Sequence, residues 1–302
     1  MGFYKNALIS AGLLSCSLWA SAGPLTDYSL IVFEDLSPSG SLHVHGRTFI
    51  GGDLNGSSPE FANALDKSLT LDTVEVAGDL NASGWLKVNA GALAYGGANN
   101  LSGVNCNGNA YGGSASCLHQ VSGLDDKAAS LYDTLKGESI YYAGLAATGN
   151  VGGGLFSYAG VDDLAVFEIS GADLFNSNWA LDLGAASYAI INVSGVNLSN
   201  SGATNLNSGF GNYTNILWNF YEADTLNVGN QWKGSVLAVD AVVSTWNDFE
   251  GSLAAKSYVG YGQVHNFPWG YTPPEIELPE PSVLLLLLSG LGLLGWRRAR
   301  SA

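Results

Sequence analysis

Basic side chains are scarce in this sequence: 11 lysines and arginines stand against 26 aspartates and glutamates. Nucleic acids and anionic lipid surfaces are bound through clustered lysine and arginine, so the composition excludes both as partners. Neutral glycans, cations and other proteins remain as partner classes. A simpler interpretation of the acidic excess is that it keeps the protein soluble.

Sequence motifs for catalysis and metal binding are also missing. A G-x-S-x-G nucleophile elbow and the nonapeptide calcium repeat are both absent. His43 and His45 alternate on a predicted strand, so both side chains would leave one face as two metal ligands do. A third ligand is not found beside them, and His119 and His265 are isolated. We therefore predict no catalytic residues, no metal site and no cofactor.

Carboxylates are numerous enough to supply the acid pair of a glycosidase. The adjacent aspartates at 125–126 and 162–163 are candidates by count, although the first pair is simpler to interpret as the start of a helix. Asp53 and Asp79 lie at glycine-flanked corners, where a carboxylate can accept hydrogen bonds from backbone N–H groups. Calcium binding at those corners is left open by the sequence.

The N-terminal segment has the three parts of a secretory signal peptide. Lys5 precedes an apolar run over residues 7–19, and Ala20-Ser21-Ala22 is an A-x-A cleavage site. Residues 13–16 loosely resemble a lipoprotein box, but the apolar run continues past it. We predict a signal helix within residues 1–22, cleavage after Ala22 and passage through the Sec translocon.

The C-terminal segment combines a Pro-Glu-Pro motif, an apolar run over residues 282–296 and a basic end. A self-sufficient transmembrane helix needs about 18 or more apolar residues, whereas this run is shorter and contains three glycines. It predicts an apolar helix that inserts transiently and makes a poor permanent anchor. An ordinary tail anchor is the alternative.

In order and position these three parts resemble the PEP-CTERM sorting signal of Gram-negative bacteria, which would span residues 279–302 here. The resemblance implies recognition by an exosortase in the inner membrane, removal of the tail, and delivery to the cell surface or exopolysaccharide matrix. The residues that carry it are Pro279, Glu280, Pro281, Arg297, Arg298 and Arg300.

Two cysteines remain once the signal peptide is set aside, Cys106 and Cys117. The segment between them has almost no apolar content. An even pair in an exported chain predicts a disulfide, whereas a structural zinc site needs four ligands. Such a staple would stabilise the fold by roughly 2–3 kcal/mol, because it restricts the unfolded chain.

Between the termini the composition predicts a mainly β fold. Forty glycines suit tight turns, while leucine, valine, isoleucine and aromatics are too plentiful for disorder. Short phrases recur at spacings of 26, 24 and 17 residues, which predicts a β-solenoid, with a twisted sandwich as the alternative. The repeated pairs are Gly52–Ser57 with Gly78–Ser83, Ile169–Leu174 with Val193–Leu198, and Gly234–Ala238 with Gly251–Ala255.

One stretch, residues 124–136, breaks the β pattern with apolar side chains at helical spacing. Acids lie early in it, Lys136 lies in the last turn, and Gly137 follows as a stop. We predict a helix that lies along the solenoid and covers apolar strand faces. A proline- and glutamate-rich linker over residues 268–278 then follows a folded domain over residues 23–267.

Phrases of the body follow one another in an order that resembles the choice-of-anchor A family of exported bacterial proteins. Val239 departs from the pattern, because the family often has proline there. The resemblance implies a β-rich fold similar to ice-binding β-solenoids and a domain found with different anchors, PEP-CTERM among them. It brings no catalytic residues. The phrases are residues 49–54, 216–220, 232–238, 249–257 and 265–267.

These observations predict an exported protein of the cell surface or exopolysaccharide matrix with a structural or adhesive role and no catalysis. A polysaccharide-active enzyme or a glycan-binding module on a β-helix is the alternative. Ice binding is a third hypothesis; it requires a flat, regular face of small polar residues, and the irregular period argues against it. The aromatics that crowd the last quarter suit core packing better than sugar stacking. They are Trp218, Phe220, Tyr221, Trp232, Trp246, Tyr258, Tyr261, Phe267, Trp269 and Tyr271.

Overall fold

The computed structural model describes residues 23–111, 117–200 and 204–271. The predicted signal peptide, the sorting tail, their two helices and most of the linker lie outside these residues. The helices are α1 (Pro24–Asp27), α2 (Leu124–Ala143) and α3 (Gly171–Leu174), and a 3-10 turn spans Tyr213–Asn215.

Short strands make up the rest of the regular structure. In chain order they are β1 (Leu30–Val32), β2 (Leu42–Val44), β3 (Thr48–Ile50), β4 (Glu60–Phe61), β5 (Asp72–Val76), β6 (Trp85–Val88), β7 (Ala92–Tyr95), β8 (Gly103–Asn105), β9 (Leu118–Gln120), β10 (Asn150–Gly152), β11 (Leu155–Ser157), β12 (Leu164–Ser170), β13 (Ala180–Asp182), β14 (Tyr188–Ser194), β15 (Asn197–Asn200), β16 (Ile216–Asn219), β17 (Thr225–Val228), β18 (Trp232–Lys233), β19 (Ser235–Thr245), β20 (Phe249–Glu250), β21 (Leu253–Tyr258) and β22 (Gly262–His265).

These strands stack as the coils of a β-solenoid. The main sheet follows the parallel order β12-β14-β16-β19-β21-β1-β3-β5-β7-β9, with β15 and β17 extending beside β19. A second parallel sheet follows β18-β20-β22-β2-β4-β6-β8, and β10, β11 and β13 form a small third sheet. The predicted mainly β, solenoid fold is confirmed.

The chain begins in the middle of this stack. It winds to one end through β9, crosses to the other end through α2, and winds back from β12 to β21. Leu30 of the first strand therefore pairs with Leu253 on one side and Thr48 on the other. The sequence repeats become neighbouring strands, since Ile169 aligns with Val193.

Helix α2 covers the outer side of the main sheet, as predicted. Side chains that point out of the coils, such as Phe49 and Leu217, are buried with Leu135 and Tyr142 of the helix. The strands beneath it are apolar on both sides, which is typical of a covered parallel sheet.

The helix is longer than the sequence pattern indicated. The prediction ended it at Lys136 with Gly137 as a stop, whereas α2 continues to Ala143 and ends at Gly144. Gly137 faces open space, so it costs the helix only about 1 kcal/mol relative to alanine. Ser139 and Tyr142 lie beyond it and are buried against the sheet, which offsets that cost.

Two buried asparagines attach the helix to the sheet. The Asn219 amide donates to the backbone oxygen of Ser139 and to Asn192 Oδ1, both at 2.9 Å. Ser139 Oγ donates back to Asn219 Oδ1 at 2.7 Å, and the Asn192 amide donates to the Tyr142 carbonyl at 2.7 Å. Every polar atom of this contact that lies away from water is thus paired, as buried polar groups require.

The described body continues slightly past residue 267, the predicted end of the domain. Trp269 is buried, its backbone N–H donates to the Leu25 carbonyl at 3.2 Å, and its ring packs on Tyr188. The compact unit accordingly runs from Gly23 to Tyr271.

The predicted disulfide between Cys106 and Cys117 is confirmed, with the two Cα atoms 6.1 Å apart. Both side chains are buried in the core near the β8–β9 end of the stack.

Replacing both cysteines with serine is expected to lower the free energy of unfolding by roughly 2–3 kcal/mol, because the loop is short and the staple acts mainly on the unfolded chain. Chemical denaturation of the oxidised protein, the reduced protein and the double serine variant measures this. Equal midpoints for the oxidised and serine forms would show that the staple contributes nothing.

Candidate functional site

One side of the solenoid presents a regular array of mainly small, mainly polar side chains, hereafter the polar face. It is built by β15, β17, the second half of β19 and the end of β21, and continues over the segments around Leu36, Leu54 and Leu80. Two outward rows cross these strands. The first row is Asn197, Thr225, Val242, Ser257, Asp35, Asp53 and Asp79, and the second is Ser199, Asn227, Ser244, Val259, Ser37, Asn55, Asn81 and Asn100.

The rows are in register because each outward pair flanks one inward apolar residue. Leu226, Tyr258, Leu36, Leu54 and Leu80 are such residues, and all five are buried. Neighbouring strands in a sheet lie about 4.8 Å apart, and alternate residues along a strand about 6.7 Å apart. The face is therefore a two-dimensional lattice of polar groups with near-constant spacing.

An aspartate ladder holds one half of the lattice together. Asp35 Oδ1 accepts a hydrogen bond from the Asp53 N–H at 2.8 Å, and Asp53 Oδ1 accepts one from the Asp79 N–H at 2.8 Å. Asp79 Oδ1 accepts one from the Ala98 N–H at 2.6 Å. The predicted role of Asp53 and Asp79 as acceptors for backbone N–H groups at glycine-flanked corners is confirmed.

Glycines before the aspartates make this close approach possible. A methyl group on Gly52 would lie 2.4 Å from Asp35 Oδ1, and one on Gly78 would lie 2.3 Å from Asp53 Oδ1. Both distances are far below van der Waals contact, so only glycine fits. The Gly-Asp phrase therefore encodes a stacking contact between coils.

The amides of the second row also bond from coil to coil. The Asn55 amide donates to Ser37 Oγ at 3.1 Å, and the Asn100 amide donates to Asn81 Oδ1 at 2.8 Å. Side-chain ladders of this kind fix the outward groups in place before any partner arrives. The face is thus pre-organised for contact with an extended surface.

The irregular period concealed this face from sequence analysis. Successive rungs of the aspartate ladder are 18, 26 and 19 residues apart. The longest of these three, from Asp53 to Asp79, has its extra residues in the loop after β4, away from the polar face. A usable signal was present in the triplets Asp35-Leu36-Ser37, Asp53-Leu54-Asn55 and Asp79-Leu80-Asn81, in which two small polar residues flank one inward leucine.

None of the four histidines lies on the polar face: His43, His45 and His265 lie on or beside the second sheet, and His119 lies on β9 at the end of the main sheet. The rings of His45 and His265 are 4.5 Å apart, Gln263 Oε1 lies 2.9 Å from His45 Nε2, and Glu250 Oε2 lies 2.7 Å from His265 Nδ1. Burial, followed by the neighbouring His265, lowers the pKa of His45. Within the described ranges, no group of three or more His, Cys, Asp or Glu residues has a metal-holding arrangement.

The candidate glycosidase carboxylates have structural surroundings. Asp125 and Asp126 open α2, and Asp162 Oδ2 accepts a hydrogen bond from the Tyr158 hydroxyl at 3.3 Å. An open cleft of about 660 Å³ is lined by Glu168 and Asp173 among others. Asp173 Oδ2 accepts a 2.6 Å hydrogen bond from Ser170 Oγ at the start of α3.

Half of the ten late aromatics are buried in the core, where the sequence favoured placing them. Trp218, Phe220, Trp232, Tyr258 and Trp269 are buried. Trp246, Tyr261 and Phe267 are the large exposed side chains of that set.

None of the helices in the described part of the chain is long and apolar enough to cross a membrane.

The fold and the polar face define a β-solenoid whose accessible feature is an extended surface. The family model of the ice-binding-like adhesive domain matches residues 21–266, and the chain belongs to this family. Membership gives the body a surface-binding role of the adhesive type, consistent with an extracellular or cell-surface protein.

Two solved structures align with most of the chain. One is an ice-binding protein from an Antarctic biological consortium, 16% identical, covering 82% of this chain and 89% of that one with a TM-score of 0.36. The other is an ice-binding protein from the Antarctic ascomycete Antarctomyces psychrotrophicus, 14% identical, covering 82% and 97% with a TM-score of 0.29. No curated protein matches the sequence.

Proposed function

We propose that the chain is an exported, non-catalytic adhesive protein of the cell surface or exopolysaccharide matrix, and that the polar face is its adhesion surface. The observation that carries the proposal is the register of the two outward rows. Each hydroxyl, amide or carboxylate offers one weak contact, direct or through water, to a hydrated surface. Many such contacts held in a fixed lattice add up without the entropy cost of ordering them on binding.

The charge balance supports a neutral surface as the partner. Loss of Lys5 and the three tail arginines would leave 7 basic residues against 26 acidic ones. Such a protein is repelled by polyanions at low ionic strength, whereas neutral polymers neither attract nor repel it through charge. A choice-of-anchor A-like body joined to a PEP-CTERM tail fits the same location.

The adhesion role is tested with bulky substitutions in the middle of the polar face. Ser244→Tyr with Asn55→Tyr should weaken binding of the exported protein to isolated matrix of the source bacterium at least about tenfold, because raised side chains hold the lattice away from the surface. Binding is measured as an isotherm with labelled protein.

The matched control places the same substitutions at Ser130 and Thr134, on the exposed side of α2. This variant should bind as the wild type does. Equal binding by the face variant and the control would reject the polar face as the adhesion surface, and no binding by the wild type would reject the adhesive role itself.

The sorting tail gives a second expected result. The surface form of the protein should start at Gly23 and lack the apolar run and basic end, because a short, glycine-interrupted span is a poor match to the bilayer. Alanines at residues 279–281 should leave signal-peptide cleavage unchanged and hold the protein at the inner membrane. Intact-mass analysis is the check, and a surface form that still ends in Ala302 would leave a simple tail anchor.

Ice is a second candidate surface, favoured by the polar face itself. The sequence argued against ice binding because its period is irregular, but the rows are regular in space. The half with Asn197, Ser199, Thr225 and Ser244 has the uncharged polar groups that ice would require. Inhibition of ice recrystallisation by the wild type, lost in the face variant, would support this candidate over the matrix.

A further inference from the structure

An edge of the solenoid beside the polar face presents exposed aromatic rings. The side chains of Trp85, Trp246 and Tyr261 are 61%, 46% and 42% exposed. Large apolar side chains exposed at this level are costly in water when they have no partner. They lie at the corner where the chain turns from the polar face to the second sheet.

Trp85 forms a supported platform. A Cβ atom built on Gly103 would lie 3.4, 3.4 and 3.5 Å from three consecutive atoms of the indole, Cδ2, Cε3 and Cε2. Near-equal distances to three adjacent ring atoms place Gly103 over the ring face. One face of the indole therefore rests on the next coil, and the other is available to a ligand.

The rings lie along one line across the coils. Phe249 aligns with Val264, and the Tyr261 N–H donates to the Thr245 carbonyl at 2.9 Å, so Trp246 and Tyr261 are neighbours on adjacent coils. Leu42 aligns with Gly262, and the Gly262 N–H donates to the Ser41 carbonyl at 3.1 Å, so Tyr261 lies beside Ser41 on the next coil. Two further coils lead to Trp85, which makes four strand spacings, or about 19 Å, from Trp246.

The line carries little charge in a protein of net charge −15. Asp248, two residues after Trp246, is the acidic residue beside it, and its Oδ1 accepts a hydrogen bond from the Gln263 N–H at 3.2 Å. The other corner segments contain no acidic or basic residue, and most of them contain serine. They are residues 38–41, 56–59, 82–85, 101–103 and 260–262, together with Trp246. We refer to this line as the aromatic edge.

Hydroxyl groups lie beside Trp85, on its own coil and on the next coil. Ser83 Oγ donates to the Gly56 carbonyl at 3.1 Å and Ser102 Oγ donates to the Gly84 carbonyl at 3.0 Å, which leaves the lone pairs of both oxygens as acceptors. Flat rings and hydroxyls match the two surfaces of a sugar, its C–H face and its hydroxyl rim.

We propose that the aromatic edge binds an extended, neutral polysaccharide chain that lies across the coils. The length of the edge requires a polymer rather than a single sugar. The lack of any basic residue in its segments, with Asp248 beside Trp246, fits a ligand without carboxylates or sulfates. This inference deepens the proposed adhesive function by naming a ligand class, and it rests on that function.

The test uses the exported protein and four insoluble polymers: cellulose, chitin, mannan and, as the acidic comparison, calcium alginate beads. At least one neutral polymer should be bound and alginate should not. Trp85→Ala and Trp246→Ala should each weaken that binding about tenfold, the effect of one lost stacking contact. The polar-face variant Ser244→Tyr with Asn55→Tyr should still bind the soluble oligosaccharide of that polymer.

Outcomes separate the two proposals. If matrix binding depends on the polar face but all neutral polymers fail, or if Trp85→Ala binds them as the wild type does, the aromatic edge proposal is wrong and the adhesive function stands. Preferred binding of alginate would also overturn it. Thermal unfolding confirms that the alanine variants are folded, which the exposure of both rings leads us to expect.

A second inference comes from a different place, the start of the described chain. A Cβ atom built on Gly23 would lie 3.1 Å from Glu138 Oε1 and 3.8 Å from Oε2. Burial raises the pKa of Glu138, a residue of α2, to about 7, and this carboxylate has no cationic partner among the described residues. The other ionisable group that faces it is the Tyr142 hydroxyl, one turn along the helix.

We infer that cleavage after Ala22 creates the partner of Glu138, because the new α-ammonium group of Gly23 forms an ion pair with its carboxylate. Nitrogen and the built Cβ are substituents of the same tetrahedral carbon. Once the preceding peptide bond is cut, rotation by about 120° about Cα–C can bring the nitrogen to the position of the built Cβ. The Gly23 carbonyl stays fixed, since it accepts a 2.8 Å hydrogen bond from the Thr26 N–H.

Selective acetylation of the N-terminal amine of the exported protein tests this ion pair. The reaction should lower the melting temperature of the wild type at pH 7 by at least about 2 °C. The melting temperature of Glu138→Gln should not change. The pKa of the α-amine, measured from the pH dependence of its acylation rate, should lie above its usual value near 8 in the wild type. In Glu138→Gln it should have the usual value. Equal shifts in both proteins, or a mature chain that does not start at Gly23, would overturn the inference.

The contribution of Glu138 to the stability of the fold should depend on pH. In the acetylated wild type the folded carboxyl titrates near pH 7 and the unfolded one near 4.3, so stability is fully present below about pH 4 and is lost as the pH rises towards 7. The free amine should remove most of that loss, because it favours the ionised carboxylate up to the pH at which the amine itself loses its proton.

Discussion

Replacing Trp218 with alanine is expected to lower the free energy of unfolding by about 3–5 kcal/mol, the range typical of truncating a large aromatic side chain in a protein core. The side chain is fully buried and lies at the centre of an aromatic cluster. Its ring stacks on Phe210 at 5.8 Å, approaches Trp232 at 4.9 Å and meets Phe156 edge-on at 5.9 Å. Its indole N–H also donates to the Lys233 carbonyl at 2.9 Å.

The loss combines the removed apolar surface with a cavity that the stacked coils cannot close, since each coil is held in register by its neighbours. Trp85→Ala is the matched control, because the same side chain is removed from an exposed position and should cost less than about 0.5 kcal/mol. Denaturant titration of both variants gives the comparison. Similar losses in the two would contradict the placement of Trp218 in the core.

Asn219→Leu is expected to cost a comparable amount, about 3–5 kcal/mol, although leucine is apolar and nearly the same size. The substitution removes the Asn219 amide that donates to the Ser139 carbonyl and to Asn192 Oδ1, and the Asn219 oxygen that accepts from the Ser139 hydroxyl. All of these groups are buried away from water. Each buried polar group left unpaired costs about 1–3 kcal/mol. Helix α2 would be the first element to loosen.

A double-mutant cycle measures this contact. Asn192→Leu and Asn219→Leu should together cost less than the sum of the two single changes, because the second removes a group that the first has already left unpaired. Asn100→Leu is the control, an exposed amide of the polar face that bonds to one neighbour. Strict additivity, or an equal cost for the control, would show that the asparagine network does not attach the helix.

Much of the fold follows from local chemistry that the sequence displays. The Gly-Asp-Leu-Asn phrases predict stacked coils, since glycine gives close approach and aspartate accepts from the next coil. Cys106 and Cys117 predict a staple because no other ligand set suits them. The start of α2 follows from its acids and helical spacing, but its end does not, because burial of Ser139 and Tyr142 outweighs the local cost of Gly137.

The candidate site was harder to predict for a physical reason. A period taken along the chain counts every residue of a coil, including loops that never reach the polar face. The lattice is set by pairing between coils, and this pairing does not depend on the number of residues in the loops. Trp85 shows the same limit: its exposure depends on Gly103, a residue on the next coil, so an aromatic in a strand pattern was indistinguishable from a core residue.

Hydroxyl-radical footprinting of the exported protein, free and bound to isolated matrix, is the most direct test of the adhesive account. The account predicts protection on the polar face, at Val242 and Val259, and on the aromatic edge, at Trp85 and Tyr261. Ile140 on the outer side of α2 should remain as reactive as in the free protein. Protection centred on α2, or no difference between free and bound protein, would contradict the claim that this family member adheres through its polar face.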